Sequence, residues 1–220
     1  MNPLQLILGD EEFLIDRATS SIIRAVRSTM QSNPEELPIT KLRAGDVTPS
    51  EISELLSPSL FAEDRVVILA AAGEAGKEAV STIEQAVKEP APGVVLIVIH
   101  SGGGRAKNLV KILKNAGADV TECPKLTKFS EREDFVVNEF RNLGVRPSRD
   151  TVHALLDAIG GDLRELASAV SQLVADTGGR VDPAAVRRYY AGIAGVTGFQ
   201  VADETIAGNT AAALASLRWA

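Results

Sequence analysis

The chain has 220 residues, 45% hydrophobic and 24% charged, enough apolar content for one large core or two modest ones. A formal net charge of −6 argues against a free-standing nucleic-acid binder, which carries a basic surface to displace phosphate counterions; DNA contact inside a larger assembly stays open. The single cysteine, Cys123, excludes an internal disulfide and fits a reducing compartment. The first residues lack a basic-then-apolar leader and no apolar run, 94–99 included, approaches the length that crosses a bilayer, so the expected location is the cytoplasm.

In chain order, 4–8 reads as a buried strand ended by Gly9 and Asp10. From Glu11 the period changes, with Phe13, Leu14, Ala18, Ile22, Ala25 and Val26 recurring at helical spacing. Residues 37–42 form a weaker strand. Residues 49–56 form a short helix with Pro49 at its start and Ile52, Leu55 and Leu56 on one face. The clearest strands, 65–70 and 94–99, are apolar without alternation, as expected where both faces are covered. Between them 76–89 reads as a helix ended by Pro90 and Pro92. Then come a helix over 105–115, closed by Gly117, and a last strand over 118–122. This alternation predicts an α/β domain, a parallel sheet flanked by helices.

After Pro124 the strands stop, and 129–143, 148–159, 162–176 and 182–191 read as helices. Asp162 with Glu165 predicts a reciprocal capping box ahead of an apolar face of Leu163, Leu166, Val170, Leu173 and Val174. The domain expectation is therefore 1–124 for the α/β part, 125–195 for a small all-helical part and 196–220 for the start of a third. Segment 201–219 reads as an amphipathic helix, or a helix and a half, with nothing to bury it, as expected of a truncated chain.

An α/β domain followed by a small helical one suggests a nucleotide hydrolase. That chemistry needs Gly-x-x-x-x-Gly-Lys-Ser/Thr between strand and helix, so that backbone amides cradle phosphates and a hydroxyl holds Mg²⁺. The near miss, 71–78, fails at Ala71 and again at Glu78, whose carboxylate repels phosphates although it could ligate a metal. An ordinary loop entering a helix is the preferred account of it. After the first strand, Gly9, Asp10, Glu11 and Glu12 have the wrong sign for phosphate but complement the positive end of the next helix. Gly102, Gly103 and Gly104 could form an anion nest, yet Lys107 stands where a dinucleotide fingerprint needs its third glycine.

Arg105, Lys107, Lys111 and Lys114 form a basic cluster with no acid among them, the three lysines on one helical face. It reads either as a solvated face or as a contact with DNA or an acidic neighbour. The two histidines, His100 and His153, lie in different domains, and His100 is expected to be a packed side chain. Cys123 is expected to be a small apolar filler, and the pairs Glu11–Glu12 and Glu63–Asp64 to be exposed. No catalytic or metal-binding set emerges, so neither enzyme activity of the isolated chain nor a cofactor is expected.

Three stretches together resemble the delta subunit of the bacterial DNA polymerase III clamp loader. Leu6, Ile7, Leu8, Gly9, Asp10, Glu11, Glu12, Phe13, Leu14, Ile15 and Asp16 resemble that family's amino-terminal signature. Ser59, Leu60, Phe61, Ala62, Glu63, Asp64, Arg65, Val66 and Val67 resemble its clamp-binding segment and the strand after it. Gly160, Gly161, Asp162, Leu163, Arg164, Glu165 and Leu166 resemble its lid signature. The resemblance implies an AAA+-like fold without a phosphate loop, then a helical lid and the start of a helical collar. It implies a non-ATPase subunit that binds the ring-shaped sliding clamp (the beta subunit) and helps hold one interface open. The other loader subunits bind ATP, and DNA is met through the assembly, the polymerase holoenzyme. Leu60 and Phe61 then enter the clamp's hydrophobic pocket; on the residues alone the favoured reading is that both plug the core beneath the strand at Arg65, and the resemblance reverses that preference. Arg164 matches a position that senses the γ-phosphate in related ATPases, and is read as a relic or an inter-domain ion-pair partner. The rivals are a divergent nucleotide hydrolase using 73–77 and the stator-like delta-prime subunit. A four-cysteine zinc cluster, a feature of other loader subunits, is impossible with one cysteine.

Overall fold

The computed structural model describes residues 1–29, 36–58, 64–190, 205–210 and 214. Leu60, Phe61 and most of segment 201–219 therefore lie outside the described residues. The chain divides into two compact units, Met1–Lys125 and Leu126–Ala220.

In the first unit five parallel strands form one sheet. They are β1 (Leu4–Gly9), β2 (Ile39–Arg43), β3 (Arg65–Ala70), β4 (Val94–His100) and β5 (Asp119–Cys123), in the order β2-β3-β4-β1-β5. Leu6 of β1 lies between Val98 of β4 and Val120 of β5. Side chains alternate along a strand, so each uninterrupted apolar run feeds two cores at once. Ile7, Val66, Ile68 and Ile97 meet Ile22 and Val26 of α1 (Glu12–Thr29) on one face. Leu6, Val67, Leu69, Leu96 and Val98 turn to the other face. There they meet Ile52 and Leu56 of α2 (Pro49–Leu56), Ile83 of α3 (Lys77–Ala86), and Leu109 and Leu113 of α4 (Asn108–Asn115). Each such fully buried side chain stabilises the fold by roughly 1.5–3 kcal/mol. The edge strands β2 and β5 carry Lys41, Arg43, Asp119 and Glu122, charges that discourage pairing with another chain.

Several boundaries differ from the sequence expectation, each for a local reason. The helix expected from Arg105 begins at Asn108, because the Ala106 amide donates to the Gly73 carbonyl (3.1 Å) and Arg105 reaches Glu74. β2 begins at Ile39 rather than at residue 37: Pro38 has no amide to donate, although its carbonyl accepts from Val66 (2.9 Å). α3 stops at Ala86, three residues early, where Lys88 closes a tight turn onto Gln85.

The second unit holds α5 (Phe129–Asn142), α6 (Arg149–Ile159), α7 (Leu163–Thr177) and α8 (Pro183–Tyr190). Their apolar faces bury Val136, Phe140, Leu155, Leu166, Val170, Leu173 and Val186 completely. Ser148, Asp162 and Asp182 each accept an amide three residues on, from Thr151, Glu165 and Ala185, and so satisfy the first turns of α6, α7 and α8. The box expected at α7 forms in one direction only, the Glu165 amide donating to Asp162; a reciprocal one forms at α2, between Thr48 and Glu51. Within 201–219, Gly208 donates to the Thr205 carbonyl at φ +73°, a turn inside the segment expected to be a helix or a helix and a half.

Candidate functional site

In an open parallel sheet, ligands collect beyond the carboxyl ends of neighbouring strands whose connections leave to opposite faces. Here those strands are β1 and β4, since α1 and α4 pack on opposite faces. After β1 the chain turns at Gly9 (φ +147°), where a Cβ would stand 1.9 Å from the Cys123 carbonyl oxygen. The same oxygen accepts the Glu11 amide at 3.0 Å. The turn that holds phosphate in a nucleotide hydrolase is thus closed onto the end of β5 and followed by acids. Cys123 is buried, and burial, then the Glu122 charge, push its thiol pKa up, which makes it a packing residue and a poor nucleophile.

The end of β4 is closed in a similar way. His100 is fully buried; its Nδ1 accepts the Gly102 amide at 2.8 Å. A backbone amide can only donate, so the ring is the neutral tautomer whose Nε2–H donates to the Ala106 carbonyl at 3.2 Å. This bracket bends 101–104 against the near-miss loop 71–78. A Cβ on Gly73 would stand 2.7 Å from the Gly103 oxygen, and one on Gly104 2.5 Å from the Gly73 oxygen. Backbone meets backbone there, which only glycine allows. The Glu74 and Ala75 amides close a tight turn onto Ala71 and Ala72, so these two are engaged by the protein itself.

Two arginines hold Glu74. Arg43 donates from Nε (3.0 Å) and Nη2 (2.9 Å) to its carboxylate, and Arg105 Nε donates to its carbonyl at 2.5 Å. Sequence reading missed this clamp, because Arg43 and Glu74 are far apart in the chain and meet only through the β2–β3 pairing. Lys77 and Arg105 share the wall of an open groove of about 470 Å³ with Ser81, Glu84 and Asn108, over Ala75 and Val80.

The basic cluster is exposed throughout, with Lys107 at the α4 cap and Lys111 and Lys114 along the helix. It is less uniform in space than in sequence: Arg105 is engaged at Glu74, and Lys114 lies 3.8 Å from Glu122 of β5. Arg164 is exposed in the first turn of α7. Among the described residues no group of three or more His, Cys, Asp or Glu could hold a metal ion, and no helix is long and apolar enough to cross a membrane. Leu60 and Phe61 fall in the chain between α2 and β3, outside the described residues.

A sequence model of the DNA polymerase III delta subunit matches residues 6–124, more than half of the chain. The chain belongs to the DNA polymerase III delta subunit family. Among solved structures, this delta-family chain is similar to the Bacillus subtilis DNA clamp loader delta protein, with 20% identity and a TM-score of 0.75. That alignment covers 99% of this chain and 67% of the Bacillus protein, and it shows a shared fold. The Thermotoga maritima RuvB Holliday junction branch migration motor aligns over 84% of this chain and 60% of its own, at 11% identity and a TM-score of 0.46, a likeness too weak to build on. No curated protein sequence matches the delta-family chain.

Proposed function

We propose that this delta-family chain grips the sliding clamp through Leu60 and Phe61 and helps hold the ring open, while other loader subunits supply the energy of ATP. The observation that carries the reading is the family match over 6–124, which spans the whole stretch from Ser59 to Val67. The flanking elements support it: α2 seats Ile52 and Leu56 in the core, and β3 is an inner strand paired on both sides, with β2 and β4. An apolar pair between two such anchors suits an interface plug, because binding energy concentrates in a few side chains that fill a partner's pocket. Burying a Leu and a Phe contributes roughly 3–6 kcal/mol, about two to four decades of affinity. The engaged amides of Glu11, Glu74 and Ala75 support a role without bound nucleotide. For Arg105, Lys107, Lys111 and Lys114 we propose contact with DNA or an acidic neighbour within the assembly; their exposure is compatible with it.

The test is capture of the full chain on its cognate immobilised clamp. Leu60→Ala combined with Phe61→Ala should weaken binding about a hundredfold or more and leave cooperative urea unfolding intact. Undiminished binding, or loss of cooperative unfolding, would return both residues to the core and end the proposal.

A further inference from the structure

We propose that Arg65 is a positioning residue, a side-chain tie that fixes the two ends from which the clamp-binding pair is presented. This role rests on the reading of Leu60 and Phe61 just given. Arg65 opens β3, where its amide donates to the Gly93 carbonyl at 2.8 Å and its Cα pairs with Val94 of β4, so its backbone is tied into the parallel ladder of the sheet. Its guanidinium Nη2 turns back and donates to the carbonyl of Ser57. Ser57 is the C-cap of α2 and is itself fastened there, its amide to Glu54 (3.3 Å) and its hydroxyl to Ser53 (2.6 Å). Pro58 follows with a fixed φ. One charged side chain therefore joins Ser57 to residue 65, eight positions on, across the stretch that contains Leu60 and Phe61.

The placement suits a cation, because the last carbonyls of a helix carry its negative end. Arg65 Nε is buried, with no hydrogen-bond partner among the described residues, while Nη2 reaches the Ser57 carbonyl. Tying the ends of a binding segment before the partner arrives lowers the ordering cost at association. The prediction concerns affinity more than stability.

The experiment measures clamp affinity and urea unfolding of the full chain for Arg65→Met, which keeps the apolar stem, and Arg65→Lys, which keeps a donor. Arg65→Met should bind roughly fivefold to tenfold more weakly, the factor one such hydrogen bond supplies, and Arg65→Lys should recover part of the loss. Repeated in a Leu60→Ala background, the Arg65→Met loss should shrink, because a tie has less to present. Equal losses in both backgrounds would mean that Arg65 touches the clamp itself or acts through general stability, and would overturn the positioning role. Wild-type affinity of Arg65→Met beside a defective Leu60/Phe61 double variant overturns it too, while leaving the clamp-binding reading standing. Should Arg65→Met lose cooperative unfolding, Arg65→Lys carries the test: reduced affinity in a folded chain supports the tie, and wild-type affinity refutes it.

Discussion

Gly9 marks the point where β1 has to end without a side chain, and the Cys123 carbonyl occupies the space a Cβ would need. An alanine there faces both a backbone collision and a φ that L side chains rarely adopt. Gly9→Ala should therefore cost about 2–3 kcal/mol, read as a lower urea midpoint at unchanged slope. His100 is a residue whose part was only half legible in advance. A histidine at a strand end with no second ligand reads as packed, and it is packed. That it brackets Gly102 and Ala106, and so lays one glycine loop on another, depends on where β4 delivers it. Cys123 was readable as a filler, but not as the carbonyl that closes the β1 turn.

Among the elements, α2 shows most directly how local chemistry sets a boundary. Pro49 stands at its first turn, Thr48 accepts the Glu51 amide (3.3 Å), and the Glu51 carboxylate accepts the Thr48 amide and hydroxyl, both at 2.8 Å. These bonds favour the charged form, so the Glu51 pKa is held below its ordinary value, first by the Thr48 backbone and then by its hydroxyl. A carboxylate with a lowered folded pKa adds stability that is complete above its unfolded pKa and disappears as pH falls through the folded one. Glu51→Gln should accordingly lower the urea midpoint at neutral pH, and the two proteins should converge in acid; a gap that persists or widens there would contradict this account. α4 teaches the opposite lesson. Nothing local forbids a helix from Arg105, and its late start follows from bonds to Gly73 and Glu74 that lie about thirty residues away in sequence.

At the scale of the molecule, the deciding feature is that both turns at the open end of the sheet are closed onto protein groups. A phosphate at the first turn would have to displace the Cys123 carbonyl from the Glu11 amide, and at the second the Ala71 and Ala72 carbonyls from the Glu74 and Ala75 amides. Labelled ATP with Mg²⁺ should show no saturable binding to the full chain in the micromolar range at equilibrium. Micromolar affinity would revive the hydrolase alternative built on 73–77.

Composition and periodicity already implied an α/β sheet followed by helices, because unbroken apolar strands such as β3 and β4 have no stable home except between two covered faces. Short motifs carried the family, since glycines, acids and a Leu-Phe pair in a fixed order are a local property of the chain. Strand order, the Arg43–Glu74 clamp, the Arg65–Ser57 tie and the close backbone approach of two glycine loops were not readable in that way. Each joins residues distant in sequence, and which distant residues meet is set by how the strands line up once both faces of the sheet are buried.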